Sequence, residues 1–184
     1  LGGVRLRRAG EHCDLHGGFP ARMYQVSRST HSNTLTGWRE WVSLPDLGVD
    51  WMKAKIDTGA RTSSLHAFDI LEFEQDGEPW VRFKVKPWQD SQEDAVVVEC
   101  PVHDRRAVRS SSGHAQERLV VELLIRLVDR EVLAEVTLSN RDEMGFRMLI
   151  GREALRRGYI VDPARSFLGG RAPREARRRN RGRD

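Results

Sequence analysis

One carboxylate in this chain stands where its neighbours would let it do chemistry. Asp57 is followed by Thr58 and Gly59, and preceded by Trp51-Met52-Lys53-Ala54-Lys55-Ile56, which alternates apolar and polar side chains. An acid at the end of a strand, in a tight loop locked by a threonine hydroxyl and a glycine that permits unusual backbone, is held in place rather than free on the surface. Such a group activates water when a second carboxyl faces it, because two like charges about 3 Å apart cannot both ionise and so share one proton. One then serves as base toward water while the other protonates the carbonyl oxygen of the amide. No second Asp-Thr-Gly or Asp-Ser-Gly occurs in the 184 residues. The second Asp57 is therefore expected from another copy of the chain, in a homodimer whose two-fold axis brings the same loop from each subunit together and lets Thr58 brace them. An isolated Asp-Thr-Gly is more often a plain Asx-type turn, so the surrounding elements decide.

Those elements read as short strands. Residues 38–44 carry apolar side chains at mixed spacing and end at the turn signal Pro45-Asp46-Leu47-Gly48. Residues 51–56 then run into Asp57, and a second strand is expected over 64–73. Asp76-Gly77 predicts a hairpin turn to the alternating run at 80–85. Further strands are expected at 96–99, 119–127 and 131–138, separated by Pro, Ser-Gly and Asp-Arg turns. Met148-Leu149-Ile150-Gly151 is a strand that opens a short helix over 152–157, stopped by Gly158 before a last strand at 159–162. The fold class is all-β with one short helix.

Two linked motifs resemble retropepsin-like aspartic proteases: Asp57-Thr58-Gly59-Ala60 after an apolar strand, and Met148-Leu149-Ile150-Gly151-Arg152 before the helix, in the same order as in the retroviral enzymes. The resemblance covers about residues 51–160 and implies a closed β-barrel with a flap hairpin, placed between 96 and 115. A more specific similarity is to the bacterial family named ATP-dependent zinc proteases, associated with RimK-type ATP-grasp ligases. It rests on the run from Lys53 to Ala67, on Ser139-Asn140-Arg141 and on Met148 to Arg152. The resemblance implies that Asp57, Thr58 and Gly59 are catalytic, and that Ala60, Arg61, Arg105, Ile150, Gly151 and Arg152 bind substrate. Arg61 stands where the retroviral pattern has an acid that pairs with the arginine of the second motif, so Arg152 needs a different partner. A cation at that position suits acidic or glutamate-rich peptides, which arginine grips through bidentate carboxylate contacts. The association with ATP-grasp ligases that add glutamate-type residues points the same way. The alternative is a non-catalytic peptide-binding module of the same fold.

The zinc and ATP of that family's name find no motif here. The chain has no His-Glu-x-x-His and no Gly-x-x-x-x-Gly-Lys-Ser/Thr loop, and His66, His103 and His114 follow no ligand spacing, so no metal or cofactor is expected. Cys13 and Cys100 form neither a metal pair nor a disulfide framework, which favours reduced thiols and a cytoplasmic setting. No run of 18 apolar residues and no secretory pattern is present, so no membrane association is expected. Charge is uneven: residues 1–36 hold five Arg against two acids and 171–184 hold seven Arg against two acids, leaving −4 of the overall +4 for 37–170. The chain divides into a flexible basic arm at 1–36, a protease domain at 37–170 and a disordered Arg-rich tail at 171–184. An acidic core argues against a nucleic-acid partner, whose phosphates only the tail would meet. The five tryptophans are assigned to core or interface rather than to ligand stacking.

Overall fold

The computed structural model describes residues 5–8, 33–91, 94–109, 115–141 and 144–182. The chain starts with β1 (Arg5–Arg8), β2 (Thr34–Gly37) and β3 (Arg39–Leu44), and a single 3-10 turn at Pro45–Leu47 leads into β4 (Val49–Asp57). Then come β5 (Ser63–His66), β6 (Phe68–Gln75), β7 (Glu78–Val85), β8 (Val96–Pro101) and β9 (Asp104–Arg109). The long strands β10 (Ala115–Leu127) and β11 (Arg130–Ser139) precede β12 (Met148–Gly151), α1 (Arg152–Leu155), β13 (Tyr159–Asp162) and α2 (Arg174–Arg179).

The main sheet runs β11-β5-β12-β4-β3-β10-β9, and a further β10–β11 pairing closes six of its strands into a barrel. Closure removes the open edges that a flat sheet would leave. The barrel is mixed: β12 runs parallel to β4, with Gly151 opposite Asp57, and β5 is parallel to β11. A second sheet, β1-β8-β7-β6, lies beside it. Its β6–β7 hairpin turns at Asp76 (φ 54°) and Gly77 (φ 79°), the double positive φ that an Asp-Gly hairpin needs.

Alternation along β4 explains its placement: Met52, Ala54 and Ile56 enter the core while Lys55 is exposed. They join Leu65, Val121, Leu123, Ile125, Met148 and Ile150 in one apolar cluster. A smaller cluster holds Trp41, Trp88, Ala172 and Ala176, with Trp51 and Phe167 against it. At 0% exposure Glu40 is the most deeply buried carboxylate of the described residues, and it accepts from the backbone N–H groups of Gly37 (2.7 Å), Leu168 (2.9 Å) and Gly169 (3.2 Å). It pins the segment after β13 onto β3.

Four departures from the sequence reading are seen. The strand expected over 64–73 is two strands broken at Ala67, because β5 is held inside the barrel while β6 belongs to the second sheet. Within 171–184 there is a helix, α2, held by Ala172 and Ala176 packing on Trp41 and Trp88. Within 1–36, β1 pairs with β8 and β2 runs parallel to β13, and residues 9–32 lie outside the described ones. The 96–115 segment also divides: β8 joins the second sheet, and β9 pairs with β10 across 110–114, outside the described residues.

Candidate active site

Asp57 ends β4 beside the start of α1, where the parallel partner β12 also ends. Its Oδ1 accepts from the N–H groups of Gly59 (3.0 Å) and Ala60 (3.1 Å), while Oδ2 lies 3.3 Å from Lys55 Nζ. Partial burial works to raise the pKa of this carboxyl. The Ala60 N–H, Lys55 and the Gly59 N–H outweigh it, and the pKa lies below the ordinary value. The carboxylate is ionised, oriented by its own loop, and 26% exposed on its side chain. It is accessible and ready to accept a proton.

The loop is fastened from behind. The backbone N–H of Arg152 donates to Ala60 O (2.8 Å), and that of Glu153 to Arg61 O (3.1 Å). The Arg152 guanidinium donates to Gly59 O (3.0 Å), so the partner that Arg61 cannot supply is a loop carbonyl. Gly151 is required by close approach: a Cβ there would lie 2.6 Å from the Thr62 carbonyl carbon and 2.8 Å from Arg61 O. Gly59 does not adopt a left-handed backbone, which corrects the conformational reading. A Cβ at Gly59 would sit 3.2 Å from Asp57 Oδ1, so the residue is chosen for space around the carboxylate.

Of the other expected site residues, Thr58 and Arg61 are exposed at the loop and Ala60 is half-buried. Ile150 is in the barrel core with 0% exposure, so its side chain packs rather than faces an open surface. Arg105 on β9 is paired with Glu72 of β6, which ties the two hairpins together. Among the histidines, His66 is buried and its Nδ1 accepts from the Arg141 N–H (2.9 Å), while His103 sits near Glu122 and Glu135. His114 and Cys13 lie outside the described residues. Burial pushes the Cys100 thiol up to about 12, which makes it inert.

A buried polar layer under the loop escaped the sequence reading. Ser63 Oγ accepts from the Gly151 N–H (3.1 Å), Thr137 Oγ1 donates to Ser63 O (3.1 Å), and the hydroxyls of Ser64 and Ser139 are 2.8 Å apart. Consecutive buried serines violate strand alternation, because β5 is covered on both faces. Arg141, noted only as part of a similar stretch, lies within electrostatic reach of Asp57 and of Arg118 on β10. Burial first, then Arg118, lowers its pKa, and Asp57 opposes them. Its Nε donates to Phe146 O (3.2 Å).

A closed six-strand mixed barrel carrying Asp-Thr-Gly on one of two parallel strands, with Ile-Gly-Arg on the other, is the architecture of retropepsin-like aspartic endopeptidases. Residues 35–172 match the family model described as RimB-like, retropepsin-like aspartic endopeptidase RimB, and the chain belongs to that family. It is 46% identical over 136 residues to a protein of Shewanella pealeana named "probable alpha-L-glutamate ligase", and 43% identical over 142 residues to one so named in Desulfotalea psychrophila. These matches take in 74% and 77% of this chain but only 30% and 31% of the ligases. Among solved structures, a protein of unknown function (DUF785) from Legionella pneumophila superposes with a TM-score of 0.64 at 32% identity, covering 75% of this chain and 99% of that one.

Proposed function

We propose that the chain is an aspartic endopeptidase that works as a homodimer on acidic, glutamate-rich peptides. The observation that carries this reading is the Asp57 carboxylate itself, held by two N–H groups of its own loop and partly open to solvent in a domain of the retropepsin-like family. One such carboxyl per chain calls for two copies. With the Asp57 of a second copy opposite, mutual repulsion raises the pKa of one of them and the pair holds a single proton. The ionised Asp57 takes a proton from water as the water oxygen attacks the amide carbon, and the protonated Asp57 of the second copy gives its proton to the carbonyl oxygen. Collapse of the tetrahedral intermediate breaks the C–N bond, the amine leaves with a proton, and a carboxylic acid remains.

Acidic specificity is supported by the cations around the loop. Lys55, exposed Arg61 and half-buried Arg141 put positive charge near Asp57, and guanidinium groups bind carboxylates in a planar fork. The ligases that share this domain by their names add glutamate. A hydrolase of glutamate-rich chains is the chemical counterpart of such an ATP-grasp ligase and a reasonable functional partner to it.

The test is cleavage of quenched fluorescent peptides, glutamate-rich and neutral, by wild type and Asp57→Asn, with sedimentation of both proteins. Expected are a dimer, preference for the acidic peptide, and a loss of about a thousandfold or more in kcat/KM for the variant. Full activity of Asp57→Asn would sink the aspartic mechanism, and equal rates on the two peptides would sink the acidic specificity.

A further inference from the structure

The arginines of α2 fall outside the part of the chain that matches the family model, which ends at residue 172, and they are arranged as no solvated tail requires. Arg174, Arg177, Arg178 and Arg181 follow i, i+3, i+4, i+7 spacing and so share one side of the helix and its terminal turn. Ala172, Ala176 and Asn180 are buried on the other side. The four line an open hollow of about 230 Å³. Arg179, between them in sequence, is paired with Asp94 and Glu175 (both 2.8 Å). The four have no such partner among the described residues, and the buried Nε of Arg177 has no hydrogen-bond acceptor there. Like charges at i, i+3 and i, i+4 repel, and an anionic ligand would remove that penalty.

A path of cations leads from this hollow to Asp57. Asp57, Lys55 and Lys53 alternate onto the outer side of β4, with Ile56, Ala54 and Met52 turned inward. Lys55 Nζ is 3.3 Å from Asp57. Lys53 lies over the ring of Phe146 at 5.1 Å, within the field of Arg39 and of Arg181 from the α2 side, with Asp90 as the opposing charge. Trp51, six residues before Asp57 and so about 20 Å away along an extended strand, packs on the cluster that seats α2. We propose that the α2 arginine face is an exosite that holds the carboxylates of an acidic polypeptide whose scissile bond lies at Asp57, with Lys53 and Lys55 along the route.

This inference rests on the acidic-peptide reading above. A polypeptide is favoured over a nucleic acid because most of the rings beside the path are already in use. Arg39 caps Trp38 at 4.5 Å, Lys53 covers Phe146, and Trp41 and Trp88 are buried under α2. Among the described rings beside the path, half-buried Trp51, edge-on to Trp41 at 6.5 Å, is what remains for base stacking, the usual companion of phosphate contacts on single strands.

The experiment compares wild type with the fourfold variant R174Q/R177Q/R178Q/R181Q, which keeps helix propensity and the buried alanines. In an Asp57→Asn background, anisotropy of a labelled twenty-residue glutamate oligomer reads binding. Steady-state cleavage of a long and a short acidic peptide, the short one unable to span the route, reads turnover. The fourfold variant is expected to bind the oligomer about tenfold or more weakly. It should show a raised KM for the long peptide alone, with kcat unchanged, and the matching fourfold Arg→Lys variant should restore part of the affinity. Equal oligomer affinity in wild type and variant overturns the exosite, as does tighter binding of a labelled oligouridylate of equal charge. If no acidic peptide is cleaved but oligomer binding still depends on the four arginines, the endopeptidase reading falls and the site stands. If the short peptide is cleaved through Asp57 while the long-peptide KM ignores the substitutions, the site falls and the endopeptidase stands.

Discussion

Around Asp57 the deciding quantity is which contacts favour the ionised form. Burial opposes ionisation, and two N–H donors with one ammonium overcome it. Lys55 is the contact that can be removed without disturbing the loop, since it is exposed and touches only Oδ2. Lys55→Met takes away a positive charge that stabilises the carboxylate, so the pKa of Asp57 rises. In the proposed dimer the proton shared by the two carboxyls would then be retained to higher pH. Both limbs of the kcat/KM profile are expected to move upward in pH, and unchanged limbs would show that Lys55 leaves the site in the assembled enzyme. Arg141 makes a different prediction. Arg141→Gln removes a cation within reach of Asp57 without removing the loop contacts, so the KM for glutamate-rich peptides is expected to rise about tenfold while that for a neutral peptide stays put. Parallel losses on both peptides would instead mean that the Arg141 side chain only supports the fold, through its contact with the Phe146 carbonyl.

At the scale of elements, the site is a junction of β4, β12, β5 and the start of α1, and its tolerance is set by backbone contact. Gly151→Ala would drive a methyl group into the Thr62 carbonyl, which is main chain and cannot rotate away. Overpacking of this kind costs about 1–3 kcal/mol. It would also shift the loop that aims Asp57, so activity should fall much more than stability does; denaturant melts alongside kcat/KM would separate the two. Glu40 is the corresponding fixture far from the site. Glu40→Ala leaves one buried and two partly buried N–H groups without an acceptor and should cost about 3 kcal/mol in denaturant unfolding, and a loss under 1 kcal/mol would mean that water replaces the carboxylate. Much of this level was legible in the sequence. Period-two alternation located β4 and β7, Asp76-Gly77 gave the hairpin, and Gly158, at φ 109°, turns the chain between α1 and β13. The break at Ala67 and the buried serines of β5 were not legible, because they follow from which strands cover β5, a non-local fact. Glu40 was hidden for the same reason: its acceptor role depends on Leu168 and Gly169, far along the chain. α2 was masked by composition, since charge density signals disorder unless small residues at the right spacing find an aromatic surface to pack on.

At the scale of the whole molecule, charge and symmetry have to be read together. The loop that carries Asp57 ends the domain on a surface where Thr58, Gly59 and Arg61 are exposed, and the proposed dimer would bring two such surfaces together. Each brings Lys55 and Arg61 with it, so two copies approach with like charges that no acid of the loop other than Asp57 offsets. Association should therefore be weakest at low ionic strength and strengthened by an acidic peptide that lies between the subunits. Specific activity is expected to rise with enzyme concentration and level off once the dimer is saturated. Moderate salt should shift that curve to lower concentration, although it weakens the substrate's own charge contacts. Measuring specific activity across enzyme concentration at two salt concentrations, with saturating peptide, separates the effects: salt acts on the midpoint through subunit repulsion and on KM through substrate attraction. A concentration-independent activity from a protein that sediments as a monomer would mean that one Asp57 suffices, and the paired-carboxyl mechanism would have to be abandoned.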